Sequence, residues 1–302
     1  MPFSSKSKRR NWSKSVDNTF TTVEEARQRA SVFLRENNRE PRVADLLLEH
    51  YLNLSFAQLL ARARDPFPEE VRAEFVTSVQ EHATTGRPVQ HIIGYAPFYG
   101  RDFKVSGDVL IPRPETEELV VGVVDWMKKQ KLEHPSVVDL GTGSGVIAIT
   151  TALEYPQSQV TATDLSADAL AMARHNAEIH EVDVHFAQGD FLEPVAGRPF
   201  DVLISNPPYI DWDEKEAMDD TVTDFDPELA LFAQNHGLAA YQTIIKQVKQ
   251  EEHPPGLIAF EIGHEQGEQV KRLLDSELPL YIVEIRKDLN GKDRMVFATL
   301  RD

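Results

Sequence analysis

A single stretch decides the fold of this 302-residue chain: Val137-Val138-Asp139-Leu140-Gly141-Thr142-Gly143-Ser144-Gly145. It predicts a buried strand that runs into a glycine turn and then a helix. Glycines let the backbone turn sharply and let a ligand lie against bare main chain. A dinucleotide-binding turn would continue as G-x-G-x-x-G, but position 146 is Val, and Asp139 would repel a pyrophosphate. The turn therefore favours a ligand that carries a cationic group.

Strand-like and helix-like segments alternate around this turn. The strand candidates are Ser136–Leu140, Gln159–Asp164, Asp183–Ala187, Asp201–Ser205, Gly256–Ile262, Tyr281–Arg286 and Arg294–Leu300. Helices are predicted after Gly145, Ser166, Gly237 and Gly263. This alternation predicts a mostly parallel sheet covered on both faces. Because only a short turn around Asn290-Gly291 joins the last two strands, that pair should be antiparallel.

The region before the sheet has a different pattern. Residues 22–88 are predicted to form a small helical bundle, in which Thr22 and Glu25 have the spacing of a capping box. Aromatic segments interrupted by glycine and proline predict a β-hairpin linker over residues 89–112, so that the α/β domain spans 113–302. Residues 1–21 are basic and lack the apolar stretch of a signal peptide, which indicates a mobile tail.

The amino-acid composition of the protein excludes several classes of structure and function. The chain is 41% hydrophobic and 27% charged, which is enough apolar material for a sizeable core. With 32 Lys+Arg against 49 Asp+Glu, the net charge is −17, so no stable nucleic-acid binding is expected. Cysteine is absent, which excludes disulfides and thiolate metal sites and predicts a cytoplasmic protein. The longest aliphatic stretch, Leu119 to Val124, is too short to span a membrane.

Chemistry-bearing residues follow the predicted strands at their carboxyl ends, where open α/β sheets bind ligands. Asp164 ends the second strand and is expected to accept hydrogen bonds from ribose hydroxyls. Phe191 follows the third strand and is expected to pack on a purine, with a smaller role for Asp190. The fourth strand is followed by Ser205-Asn206-Pro207-Pro208-Tyr209. All of these residues should therefore meet in one crevice.

The residue types of the Asn-Pro-Pro-Tyr sequence indicate which chemical group it can bind. Asn206 offers an amide oxygen as an acceptor. Pro207 and Pro208 lack backbone N–H groups, so the local main chain presents carbonyl acceptors only. Tyr209 supplies a flat aromatic face. Together they suit a planar –NH₂ group conjugated to a π system, in which two acceptors take the two hydrogens.

The glycine turn, Asp164 and Asn-Pro-Pro-Tyr resemble class I S-adenosylmethionine-dependent methyltransferases that act on an amide or exocyclic nitrogen. Further segments resemble the release factor glutamine methyltransferases, the HemK/PrmC family. They are Phe98–Val105, Leu110–Glu117, Glu261-Ile262-Gly263 with Gln266, and Asp288–Val296. With the helical bundle, the resemblance covers residues 22–302. The family usually has a Glu-Pro start and a Gly-Gly end where this chain has Phe225-Asp226-Pro227-Glu228-Leu229-Ala230-Leu231-Phe232.

The resemblance implies a Rossmann-like fold, S-adenosyl-L-methionine as cofactor, and methylation of the glutamine side-chain nitrogen (N5) in the Gly-Gly-Gln motif of class-1 peptide chain release factors. The implied catalytic residues are Asn206, Pro207 and Tyr209, and with Pro208 these residues would bind the substrate. The implied cofactor-binding residues are Gly141, Thr142, Gly143, Ser144, Gly145, Asp164, Phe191 and Asn206. A monomer without a metal site is expected, since His264-Glu265-Gln266-Gly267-Glu268 lacks the second histidine of a zinc motif.

Three alternatives stay open at this point. They are a ribosomal-protein glutamine methyltransferase, an enzyme that methylates an exocyclic amine of DNA or RNA, and a non-catalytic S-adenosylmethionine-binding module. Between Asp211 and Glu228 the chain has nine acidic residues against one base, Lys215. Such a segment is often only a solvated loop. Since it directly follows the Asn-Pro-Pro-Tyr motif, however, it favours a basic protein substrate over a nucleic acid.

Overall fold

The computed structural model describes residues 20–217 and 220–301. These residues form two compact units, of which the first runs to Gly94 and includes Asp220–Phe225, while the second contains the rest of the described chain. Within the described residues, no helix is long and apolar enough to cross a membrane.

The first unit is the predicted helical bundle. Its helices are α1 (Val23–Glu36), α2 (Val43–Leu52), α3 (Phe56–Ala61), α4 (Glu69–Thr85) and α5 (Val89–Ile93). The side chain of Thr22 accepts a hydrogen bond from the backbone N–H of Glu25 and so caps α1, as predicted. Glu25 does not complete the box on Thr22, because its carboxylate accepts from the N–H and hydroxyl of Thr21.

The predicted tail, residues 1–21, extends too far into the bundle. Phe20 is 1% exposed, and its ring packs edge-on against Phe67 at 4.7 Å. Arg72 lies over the Phe20 ring and donates to its carbonyl oxygen. Burial of a phenylalanine contributes about 2 kcal/mol, so Phe20 and Thr21 belong to the fold. The remainder of the tail, residues 1–19, lies outside the described residues.

The predicted hairpin linker is only partly a hairpin. Residues Val89–Ile93 form the helical turn α5, and antiparallel strands follow as β1 (Tyr95–Phe98) and β2 (Arg101–Lys104). The prediction missed the turn because Pro88 begins it and Gly94 ends it within five residues, too short for a visible helical period. Asn176 ties the hairpin to the sheet domain, since its side chain bonds both backbone groups of Lys104 and the carbonyl of Ser144.

The second unit is built on a seven-stranded sheet. Its strands are β3 (Ser136–Leu140), β4 (Gln159–Asp164), β5 (His185–Gln188), β6 (Val202–Ser205), β9 (Leu257–Glu261), β10 (Tyr281–Lys287) and β11 (Asp293–Leu300), and they lie in the order β10-β11-β9-β6-β3-β4-β5. The first five of these run parallel, and β11 is antiparallel to both β9 and β10. The predicted Rossmann-like sheet with an antiparallel end is therefore confirmed. Only the third predicted strand is displaced, from 183–187 to His185–Gln188.

Helices cover both faces of this sheet. They are α6 (Pro114–Gln130), α7 (Val146–Glu154), α8 (Ala167–Ile179), α9 (Ala239–Val248) and α10 (Gly267–Glu277). Consecutive residues of β3 alternate between the two cores, since Val137 packs with α6 and α7 whereas Val138 packs with α9 and α10. A sheet buried on both faces needs strands that are apolar throughout. Strands β6 and β9 are buried at every position, which explains their continuous runs of mostly apolar residues.

A long connection between β6 and α9 holds the remaining short elements. Strands β7 (Ile210–Asp211) and β8 (Phe232–Ala233) pair in parallel, and Trp212–Ala217 form a 3₁₀ helix. The rings of Trp212 and Phe232 stack at 4.7 Å, and Lys215 forms an ion pair with Glu228. Trp212, Lys215 and Glu228 of the acidic segment therefore make contacts within the protein.

Candidate active site

A cavity of about 390 Å³ opens beyond the carboxyl ends of β3, β4 and β6. Strand β3 has β4 on one side and β6 on the other, so the chain changes direction across the sheet here, as at the ligand-binding crevice of other open α/β sheets. The predicted site residues that line the cavity are Gly141, Thr142, Gly143, Ser144, Asp164, Phe191, Asn206 and Pro208. Three others, Gly145, Pro207 and Tyr209, do not line it.

Asp164 is held by the glycine turn. One carboxylate oxygen accepts from the backbone N–H of Gly143 at 2.9 Å, and the other accepts from that of Ser166 at 2.9 Å. Gly143 has φ +56°, a conformation that glycine adopts without strain. Burial raises the pKa of Asp164, and these N–H groups act against that shift. Since a carboxylate has about four acceptor positions, Asp164 keeps some for a ligand in the cavity.

Asp139 serves the turn rather than the cavity. It is fully buried, and its carboxylate accepts from the Thr142 hydroxyl at 2.6 Å and the Ala148 N–H at 3.2 Å. Burial raises its pKa to about 7. Asp139 was expected to suit a cationic ligand, but its carboxylate bonds the turn and does not line the cavity. The residue therefore braces Thr142 and the start of α7.

The loop after β5 brings Phe191 and Asp190 to the cavity. The Phe191 carbonyl accepts from the Thr163 hydroxyl at 2.8 Å. Gln247 supports the same loop from α9, since its side chain accepts from the Leu192 N–H and donates to the Asp190 carbonyl. Gln247 was not predicted, because it lies more than fifty residues further along the chain and no local pattern marks it.

Asn206 faces the cavity and is anchored on the side of α6. Its amide nitrogen Nδ2 donates to Thr116 Oγ1 at 3.3 Å, and the Thr116 hydroxyl donates to Glu261 Oε2 at 2.6 Å. Thr116 and Glu261 are both buried. Ser205 also holds this strand end, because its hydroxyl donates to the Leu140 carbonyl of β3 at 2.7 Å.

Tyr209 does not line the cavity, although its neighbour Pro208 does. The Tyr209 carbonyl accepts from Gln266 Nε2 at 2.8 Å, and Gln266 Oε1 accepts from the Gly263 N–H at 3.0 Å. Gly237 passes so close that a Cβ there would lie 2.0 Å from the Tyr209 carbonyl oxygen, and its φ is +76°. Burial raises the pKa of the Tyr209 hydroxyl to about 12. Tyr209 is therefore a neutral side chain whose backbone is fixed by Gln266.

The stretch that departs from the family pattern contributes to the cavity wall. Pro227, Leu229 and Phe232 line the cavity. Asp226 is buried, and its Oδ2 lies 3.5 Å from Arg113 Nη2. Burial raises the pKa of Asp226 to about 6, and the Arg113 guanidinium acts against that shift. Arg113 is thus an ion-pair partner that connects the start of α6 to this wall.

The described residues bring together no group of three or more His, Asp and Glu side chains that could hold a metal ion. The polar side chains that line the cavity include three carboxylates, the Asn206 amide and the Arg113 guanidinium, beside apolar surface from Phe191 and Leu229; the carboxylates are those of Asp108, Asp164 and Asp190. Such a site can bind an organic ligand that carries a cationic group and can orient an –NH₂ group.

Two family models match the chain. The PrmC N-terminal domain matches residues 25–94, and the Methyltransferase small domain matches residues 123–225. Several relatives carry the name release factor glutamine methyltransferase. The Bacillus cereus protein is 40% identical over 281 residues, which are 92% of this chain and 99% of the relative. The Bacillus subtilis protein is 41% identical over 286 residues, which are 92% and 98%.

Among solved structures, the hMettl16 catalytic domain in complex with MAT2A 3′UTR hairpin 6 is similar with a TM-score of 0.54. It is 13% identical, and the match covers 78% of this chain and 84% of that one. This likeness supports the Rossmann-like methyltransferase fold alone.

Proposed function

The chain belongs to the release factor glutamine methyltransferase family, and from that membership we propose that Asn206 and Pro207 present the target glutamine to the methyl donor. The protein is an S-adenosylmethionine-dependent methyltransferase that modifies a glutamine of a release factor. We assign the reaction to the side-chain amide nitrogen (N5) of the glutamine in the Gly-Gly-Gln motif of class-1 factors.

The residues at the cavity fit this cofactor. Nothing lies within 4 Å of a Cβ built at Gly141 or Gly143, so the main chain is bare on that side. The free acceptor positions of Asp164 suit ribose hydroxyls, and the ring of Phe191 suits the adenine. S-adenosyl-L-methionine supplies a methyl group that its sulfonium activates. We propose that the glycine turn, Asp164 and Phe191 hold the cofactor.

An amide nitrogen is a poor nucleophile, because its lone pair is delocalised into the carbonyl. The protein must therefore orient the nitrogen and stabilise the positive charge that grows on it. In the proposal, Asn206 Oδ1 accepts one amide hydrogen and the Pro207 carbonyl accepts the other. The proton leaves after the nitrogen has been alkylated. The acceptor role of the Pro207 carbonyl and the stacking of Tyr209 on the amide plane stay predictions, since neither residue lines the cavity.

One observation carries the proposal: Asn206 lines the same cavity as the glycine turn and Asp164. A group bound at Asn206 thus lies within the volume that also accepts the methyl donor. Proximity of this kind converts a bimolecular reaction into an effectively intramolecular one. The relatives' names favour the release factor over the ribosomal-protein and nucleic-acid alternatives.

The test is transfer of tritiated methyl from S-adenosylmethionine. Label should enter purified release factor, and it should be absent from DNA, ribosomal RNA and ribosomal proteins. A release factor whose target glutamine is replaced by glutamate lacks both amide hydrogens and should accept no label. Faster methylation of a nucleic acid, or label in the glutamate variant, would overturn the proposal.

We further propose that the helical unit, residues 22–88, docks the release factor. All predicted cofactor and catalytic residues lie in the other unit, so the helical unit is free for recognition. The KM for intact release factor should then be far below that for a short peptide with the same glycine-flanked glutamine. Equal KM values would contradict docking outside the cavity.

A further inference from the structure

Two buried side chains from distant parts of the sequence form successive hydrogen bonds that end at Asn206. Thr116 lies in the first turn of α6, and Glu261 is the last residue of β9. The two are 145 positions apart, yet their side chains are 2.6 Å apart. We propose that Thr116 and Glu261 are positioning residues that orient the amide of Asn206 for the reaction; this inference rests on the proposed function.

The hydrogen-bond donors and acceptors of Glu261, Thr116 and Asn206 allow only one arrangement of these bonds. An ionised carboxylate has no hydrogen to give, so the hydroxyl hydrogen of Thr116 goes to Glu261. The Thr116 oxygen then has only lone pairs for Asn206. It must accept, and the group of Asn206 that donates is its –NH₂, observed at 3.3 Å. The Asn206 oxygen is left for the cavity.

This orientation matters because the alternative is repulsive. If the Asn206 amide were flipped, its –NH₂ would meet the –NH₂ of the target glutamine, and neither group could accept. The amide hydrogens would be unsatisfied in a desolvated site. With the oxygen outward, Asn206 attracts an amide hydrogen, and the attraction grows as the nitrogen becomes positive.

Glu261 is fully buried, and several groups face it. Burial raises the pKa of the Glu261 carboxyl group to about 7, and the nearby charge of Glu115 acts in the same direction. The Thr116 hydroxyl and the charges of Arg294 and Arg113 act against that rise. The hydroxyl of Tyr241 donates to the Glu261 main-chain carbonyl and not to its carboxyl group. When the carboxyl group is protonated, it can itself donate to Thr116 Oγ1. The donor and acceptor roles in the hydrogen bonds between Glu261, Thr116 and Asn206 are then no longer fixed.

The hydroxyl of Thr116 can be removed without a change of shape. Thr116→Val should lower kcat roughly tenfold, because Asn206 loses the acceptor that holds it. The KM for release factor and the affinity for S-adenosylhomocysteine should stay within about twofold of the wild-type values. The interaction of Asn206 with the reacting amide strengthens only in the transition state, so its loss lowers kcat and leaves binding largely unchanged. Thr116→Ser restores the hydroxyl and should recover most of the activity.

A matched control exists in α7. Thr150 is fully buried, and its hydroxyl has no hydrogen-bond partner among the described residues. It does not line the cavity. Thr116 itself lines the cavity, so Thr150→Val makes the same substitution at a buried position away from it and should leave kcat unchanged. Thermal unfolding of all variants checks that each is folded at the assay temperature.

The pH dependence of kcat separates positioning from packing. Wild-type kcat should fall as the pH drops below about 7 and Glu261 takes up a proton, toward the value of Thr116→Val. Glu261→Gln has no proton to lose and should lack that part of the profile. Asp139 and Asp226 titrate in the same range but are unchanged in this variant. An acidic decline in Glu261→Gln as large as that of the wild type would overturn the role of Glu261.

Asn206→Ala is the reference that separates this inference from the proposed function. If Asn206→Ala loses turnover while Thr116→Val keeps at least half of the wild-type kcat, the positioning role is wrong and the proposed function stands. If Thr116→Ser is as slow as Thr116→Val, the hydroxyl is not the cause, and the positioning role is again wrong. If Asn206→Ala is fully active, both proposals fail.

Discussion

Asp164 and Asn206 follow the two strands that flank β3, but they are held in different ways. Asp164 is bound by backbone N–H groups of Gly143 and Ser166, on neighbouring segments of the chain. Asn206 is held by the side chain of Thr116, ninety positions away, which is itself held by Glu261. Asp164 in the cofactor half is thus held by main chain, whereas Asn206 in the substrate half is held by long-range side-chain contacts.

This difference predicts how the two halves respond to mutation. Main-chain contacts survive most substitutions, so the position of Asp164 should be lost only when Asp164 or the turn itself changes. Side-chain contacts are removed one at a time, so turnover should be sensitive to residues that act through Asn206. The predictions below test that separation, from the largest expected effect to the smallest.

Asn206→Ala should lower kcat by roughly 10²-fold or more, the scale for loss of one positioned polar group in a reaction centre. The affinity for S-adenosylhomocysteine, measured by calorimetry, should change by only a few fold. A variant that loses cofactor affinity but turns over normally at saturation would place Asn206 in the other half of the site.

Asp164→Ala should weaken S-adenosylhomocysteine binding by about 1.5–3 kcal/mol, the scale of a hydrogen bond to a charged group. The control is Asp168→Ala, an exposed carboxylate in the first turn of the helix that follows. It should leave the affinity unchanged. Equal affinity of Asp164→Ala and wild type would remove Asp164 from the cofactor half.

Gln266→Ala should lower kcat by up to about tenfold, because the Tyr209 carbonyl and the Gly263 N–H both lose a partner. Cofactor affinity should be retained. Gln269→Ala, an exposed residue of the same helix, should behave as wild type. A loss of cofactor affinity in Gln266→Ala would show that the two halves are not separable.

Salt should have the smallest effect. The segment from Asp211 to Glu228 is strongly acidic, and a basic release factor would be attracted to it. Raising ionic strength from about 0.05 to 0.5 M screens this attraction and should lower kcat/KM a few fold. Cofactor affinity should not follow the same course. A kcat/KM that rises with salt would contradict a basic substrate surface.

The fold was predictable because its signals are local. Apolar strands, the glycine turn and the short connection at Asn290-Gly291 each lie within a few residues, and the sheet they predicted is the one observed. The errors arose where a local signal was weak. Phe20 has no periodic neighbours that mark it as core, and Val89–Ile93 is too short to show a helical period.

The sequence by itself determined which residues follow each strand, and therefore that Asp164, Phe191 and Asn206 reach one crevice. It did so because parallel strands deliver their carboxyl ends to the same edge. Only the tertiary structure decided that Asp139 bonds the turn instead of lining the cavity, that Tyr209 does not line the cavity, and that Thr116 and Glu261 meet at Asn206. The contacts of Thr116 with Glu261 and Asn206 join residues 145 and 90 positions apart, so no local pattern records them.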